Sequence, residues 1–425
     1  MKKYVILNAG IFVAIALSFL FNGCLKNSCS HAKSYTWYEP LYKTSVEVRA
    51  NIKSNPAKEV HNPGKIFISG NYIFLNEVDK GIHVIDNRNP SLPVNVAFID
   101  IPGNLDLAVK GNTLYADLYT DLVTLDISNP LNVVKKSIVD GVFPPRYYGG
   151  GPVGVGGDNK IIFDWIKHDT TVMEDCNGST RFAYPGVLYN TDIMASSSGA
   201  PANSTPVGTG GSMARFALIN NYLYTVSDAN LNIFNITNSN QPVFSNKVQV
   251  DWHVETIYPL KDKLFIGSNN GMFIYDVQAS PSNPVKMGEF THARACDPVI
   301  ADDKYAYVTL HSGTDCLGYN DQLDIVQLNN LTDPLFVKTY KLTSPHGLSK
   351  DENILFICDG TDGLKVYDAV DVNNLKLINH IPGFETYDVI AYNHIALVVA
   401  TDGLYQYDYS DINNIHPLSK VTILR

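Results

Sequence analysis

Seven times along this chain an apolar strand, a tight turn and an alternating strand follow one another in the same order, and any fold must accommodate that repetition. The alternating strand is the easiest to track: GIHVIDN (81–87), DLVTLDIS (121–128), LNIFNIT (231–237), GMFIYDV (271–277), QLDIVQL (322–328), GLKVYDA (363–369) and GLYQYDY (403–409). The turns that precede it fall at Gly70, Gly111, Asn220, Lys261, Asp303, Glu352 and Asn393, spaced by 41, 109, 41, 42, 49 and 41 residues. The unit is therefore about 41 residues, with roughly 68 more after the second unit and 8 more inside the fifth.

Each unit holds four short strands, the last of them after a turn rich in Asn and Pro. Four strands at this period predict an all-β propeller, because one blade cannot bury both faces of its sheet and a closed ring of blades can. Seven blades are expected, with eight as the alternative if the 68 extra residues build a degenerate one. Amphipathic helical periodicity is missing beyond the N-terminal segment, which excludes α/β folds. Val46 to Ile52 alternates like a strand and could close the ring beside the last blade, although PLSKVTIL (417–424) can fill that place too. The propeller domain is read as 46–425, interrupted by an insertion over 143–211. That insertion opens with Pro144-Pro145 and carries Tyr147, Tyr148, Trp165, Tyr184 and Tyr189. Its first part, with IIFDWI (161–166), suits a hairpin, and its Ser/Gly-rich end, ASSSGAPANSTPVGTGGS (195–212), reads as a flexible loop.

Only 17% of residues are charged while Tyr (25) and Phe (18) are plentiful, which suits a large β core. The formal charge of −10 argues against nucleic acid as a partner, since phosphates need a basic face. At the N-terminus, Lys2 and Lys3 precede an apolar run from Tyr4 to Phe21 and then Cys24. Residues 1–23 read as a signal peptide, with a plain membrane anchor as the competing reading. Leu20-Phe21-Asn22-Gly23 before Cys24 resembles a lipoprotein lipobox. That resemblance implies lipidation of Cys24, a tether over 24–45 and attachment to a membrane of the bacterial envelope, the outer membrane being expected, facing either side.

The third strands resemble the LVIVD repeat, found in β-propellers of bacterial envelope lipoproteins, over about residues 62–425. The resemblance implies the fold and the address but no single reaction. Of the cysteines beyond Cys24, Cys29, Cys176, Cys296, Cys316 and Cys358, an exported chain should pair some. Cys296 and Cys316 flank the enlarged excursion of the fifth unit on one side of one blade, so a disulfide is expected there, with Cys358 the rival partner.

Motifs for chemistry are few. Gly149 to Gly154 matches a dinucleotide loop by count, but Pro152 interrupts it and no βαβ unit surrounds it. Asp359 to Gly363 is read as a tight Asp-Gly turn, because the spaced oxygens of a calcium loop are missing. Five or six residues before each turn lie Lys65, Asp106, Arg215, Glu255, Asp297, His346 and Asp388. On innermost strands these should ring one mouth of the central channel. Either they bridge blades as buried ion pairs and hydrogen bonds, or they contact a ligand or a divalent cation. No catalytic residue, dedicated metal site or organic cofactor is predicted. The expected function is a binding platform for a glycan, a peptide or an envelope protein. A hydrolase or lyase with a metal or acid–base site at the mouth is the first alternative, and a structural subunit of an outer-membrane complex the second.

Overall fold

A computed structural model describes residues 30–144, 146–148, 151–153, 160–175, 208–291, 298–312 and 320–424. Cys24, Cys29, Cys176, Cys296, Cys316 and Asp297 lie outside the described residues, as does the signal-peptide segment. Two compact units divide the chain: Met1–Leu41 with Asp164–Tyr189, and Tyr42–Phe163 with Asn190–Arg425.

The larger unit is a propeller of seven blades, each of four antiparallel strands contributed in chain order from the innermost outward. The innermost strands are Pro63–Ser69, Leu107–Lys110, Phe216–Ile219, Val254–Leu260, Val299–Ala301, Leu348–Asp351 and Thr386–Tyr392. Six of the seven first turns place their marked residue in the left-handed region: Gly70, Gly111, Asn220, Lys261, Glu352 and Asn393 have φ between 47° and 58°. That geometry matches the right-handed twist of the strands it joins.

The aspartate that closes most alternating strands has a mechanical role. Asp86, Asp126, Asp276, Asp368 and Asp408, and Asn235 in the third blade, each accept the N–H two residues on, which starts the turn into the outer strand. A second Asx turn follows at Asn89, Asn129, Asn238, Asn330, Asp371 and Asp411. These turns serve as sockets for the neighbouring blade. Tyr115 donates to the Ser239 carbonyl at 3.0 Å, Tyr224 to Pro281 at 2.8 Å and Tyr340 to Val372 at 2.8 Å.

The ring closes between complete blades. Gln406 of the last blade exchanges hydrogen bonds with Asn87 of the first at 2.8 and 3.0 Å, and Ser419 donates to the Pro90 carbonyl at 2.6 Å. Apolar residues of both, including Ile66, Ile73, Leu397 and Val399, share one core cluster. Val60 bridges Ile423, and the Leu424 N–H reaches the Val60 carbonyl at 2.7 Å.

Three expectations need correction. The stretch expected as a strand at 46–52 begins instead as a helix, Ser45–Ala50, because Thr44 and Glu47 form a reciprocal capping box. It buries Val48, and Arg49 reaches Asp121 and Asp140 at 2.5 Å each. The segment after it, Lys53–Pro56, pairs with the outer strand Val94–Asp100 of the first blade and not with the last blade. The first part of the insertion does hold an antiparallel pair, Arg146–Tyr148 with Gly151–Val153, but IIFDWI lies in a separate long strand, Lys160–Asp175, that pairs with Ser30–Thr44, so part of the expected tether is a strand. Within the smaller unit this ribbon is held by Trp37 stacked on His168 (4.3 Å) and by Thr36 on Asp169 (2.5 Å). The third correction concerns the end of the insertion and belongs with the site.

Candidate functional site at the channel mouth

The end of the stretch that the sequence reads as flexible is packed instead: Gly208 and Thr209 are half-buried and residues 210–214 are buried. The Gly208 N–H donates to the Val109 carbonyl at 3.0 Å, and Thr209–Gly210 pairs with Phe67 and Ile68 on the inner side of the first blade. Small residues make this approach possible. A Cβ on Gly208 would overlap the Ile68 carbonyl, and one on Gly211 would overlap the Asp388 carboxylate. The chain thus threads its own central channel.

The expected ring residues meet this segment. Lys65, 1% exposed, donates to the Met213 carbonyl at 2.9 Å and lies 3.9 Å from the Asp106 carboxylate. Asp106, equally buried, accepts the Leu107 and Arg215 N–H groups at 2.6 Å each. Ser212 accepts the Leu348 N–H at 2.7 Å and donates to Asp388 at 3.4 Å, while Asp388 also accepts the Val389 N–H at 2.9 Å. Burial dominates the electrostatics. It pulls the Lys65 ammonium down to about 7, against the opposing pull of Asp106, and pushes the Asp106 carboxyl up against Lys65 and its two N–H donors.

The other members stand apart. His346 packs against His311 (4.4 Å between ring centroids) and Tyr387 (5.5 Å). Burial, with His311 beside it, holds His346 down to about 3, so its imidazole is neutral. Glu255 is half-buried in Val254–Leu260. Among the described residues no group of three or more His, Cys, Asp or Glu side chains is placed to hold a metal ion. The Asp359–Gly363 turn is filled by Lys365, whose ammonium reaches Asp359 at 2.5 Å and Asp362 at 2.6 Å.

Sequence reasoning missed Ser212, Gly211 and the Met213 carbonyl. The signal was the run Gly208 to Ser212: small residues suit a mobile loop and close backbone packing equally well. It also missed a cavity of about 110 Å³ between the second and third blades. Asp106, Asp117, Tyr119, Phe143, Arg215 and Ser227 are among its lining residues.

Comparison with known proteins agrees with this architecture. The LVIVD repeat matches residues 63–99 and 104–141, which are the first two blades. No curated protein matches the chain. Among solved structures, a protein from Lactobacillus plantarum is similar with a TM-score of 0.51 at 12% identity, covering 88% of this chain and 96% of that one. The computationally designed Ika8 protein is similar with a TM-score of 0.50 at 10% identity, covering 86% and 88%. BamB from Moraxella catarrhalis aligns with a TM-score of 0.48 at 10% identity, covering 82% of each chain. The likeness to the Lactobacillus plantarum and Ika8 proteins speaks for the fold alone. The chain is a seven-bladed β-propeller that carries LVIVD repeats in its first two blades.

Proposed function

We propose that this protein is a lipid-anchored platform of the bacterial envelope that holds a protein or peptide partner through the segment 143–211. The observation that carries the reading is the seat of residues 208–214 among the inner strands of four blades, which fixes the end of a long chain excursion to the rigid ring. Long segments mounted on rigid scaffolds are where binding residues concentrate. The lipobox-like residues before Cys24 supply the address. A hydrolase or lyase at the mouth draws less support, because both oxygens of Asp106 and one of Asp388 already accept internal donors.

Affinity capture from solubilised envelopes tests this. The full-length chain should retain a protein partner reproducibly, and a chain lacking 176–207 should lose it while keeping its melting temperature. Equal capture by both chains would contradict the assignment of binding to this segment. The anchor is tested separately by fatty-acid labelling, which Cys24→Ala should abolish; a labelled, processed mutant would exclude lipidation at Cys24.

A further inference from the structure

We infer that the cavity beside Arg215 is a receptor for a single carboxylate carried on an apolar stem, such as a glutamate side chain or a peptide C-terminus. The inference rests on the platform reading and gives it a ligand chemistry. Arg215 is fixed through its backbone on both sides: its N–H donates to Asp106 at 2.6 Å and its carbonyl accepts the Val226 N–H at 2.8 Å. Among the described residues its half-buried guanidinium has neither hydrogen bond nor ion pair, so its five donors are uncommitted.

Two carboxylates line the same cavity, yet both are spoken for. Asp117 uses one oxygen to accept Asn104 Nδ2 and the Leu105 and Asp106 N–H groups at 2.8–2.9 Å. Asp106 accepts two backbone N–H groups at 2.6 Å and faces Lys65. Among the described residues Arg215 pairs with neither carboxylate, so its guanidinium remains a charged donor open to a ligand. A planar guanidinium offers two parallel donors that match a carboxylate. The remaining walls are mainly apolar, with Phe143 and Phe216 stacked 5.8 Å apart beside Leu105, Pro144 and Val226. A phosphate would press further charged oxygens against these walls, whereas a carboxylate on a hydrocarbon stem leaves none unpaired there. Ser227 is committed locally, accepting Asn232 Nδ2 at 3.1 Å, and the Tyr119 hydroxyl donates to the Ile162 carbonyl at 2.8 Å.

Calorimetric titration of the full chain decides the matter with four probes: N-acetyl-glutamate amide, N-acetyl-glutamine amide, N-acetyl-leucine and N-acetyl-leucine amide. We expect saturable binding of at least one acid and at least tenfold weaker binding of its amide. The acid that binds identifies side chain or C-terminus as the source. Arg215→Met should abolish binding, and Arg215→Lys, which keeps the charge and loses the fork, should weaken it at least threefold with unchanged urea stability. Equal binding of acid and amide, unchanged binding by Arg215→Met, or no saturation below about 50 mM would overturn the inference. If carboxylates fail while envelope capture persists, the platform reading stands and only its ligand chemistry falls.

Discussion

Lys65 shows how burial sets chemistry at the scale of one side chain. Its ammonium is enclosed, faces Asp106 and caps the Met213 carbonyl, so removing its partner leaves an uncompensated buried charge. Asp106→Ala should cost about 3–5 kcal/mol in urea unfolding. In Lys65→Met the same substitution should cost less, because the two groups act as a pair. A full 3–5 kcal/mol loss in both backgrounds would separate Asp106 from Lys65. The lowered pKa has a definite sign. The folded Lys65 holds its proton only below about 7, whereas the unfolded chain holds it to about 10.4. The unfolded state therefore binds more protons between those values, and Lys65 contributes stability that rises with pH across them. Lys65→Met should flatten this slope when urea stability is compared at pH 6.5 and 9.5; an unaltered slope would assign it to other groups. The positions of Lys65 and Asp388 on inner strands, and of Asp106 at the head of one, were legible in the sequence, because a nearly fixed offset from each turn marks them. Their partners were not, since the insertion's return is a three-dimensional contact that no spacing records.

At the scale of elements, legibility followed periodicity. Blades repeat, so every strand of GIHVIDN type could be read, and the Asp that ends it proved to start the next turn. Ser45–Ala50 was misread because a single turn of helix is too short to show a period, and its signal lies in the cap. Thr44→Ala should accordingly cost about 1 kcal/mol, with the loss confined to the contacts of Arg49 with Asp121 and Asp140. The segment 208–214 was misread for the opposite reason: glycine permits both mobility and tight approach. Gly211→Ala forces a methyl group onto the buried Asp388 carboxylate and should cost about 1–3 kcal/mol by chemical denaturation. A neutral effect would mean that the segment does not pack there.

For the molecule as a whole, stability rests on sockets between blades, and tyrosine hydroxyls make many of them. Burial raises the phenols of Tyr115, Tyr224, Tyr307 and Tyr409 well above their ordinary range, and that of Tyr407 to about 12. The folded state keeps protons that the unfolded chain loses above about pH 10. This stabilisation is complete below that pH and is lost as pH rises through the folded values. Thermal unfolding should thus fall steeply between about pH 10 and 12, with phenolate absorbance appearing together with unfolding and not before it. The central claim is that the chain packs residues 208–214 into its own channel, and hydrogen exchange at the backbone amides of 208–214 tests it most directly. The account predicts protection comparable to the inner strand Pro63–Ser69. Exchange at the rate of an open loop, with that strand still protected, would contradict it.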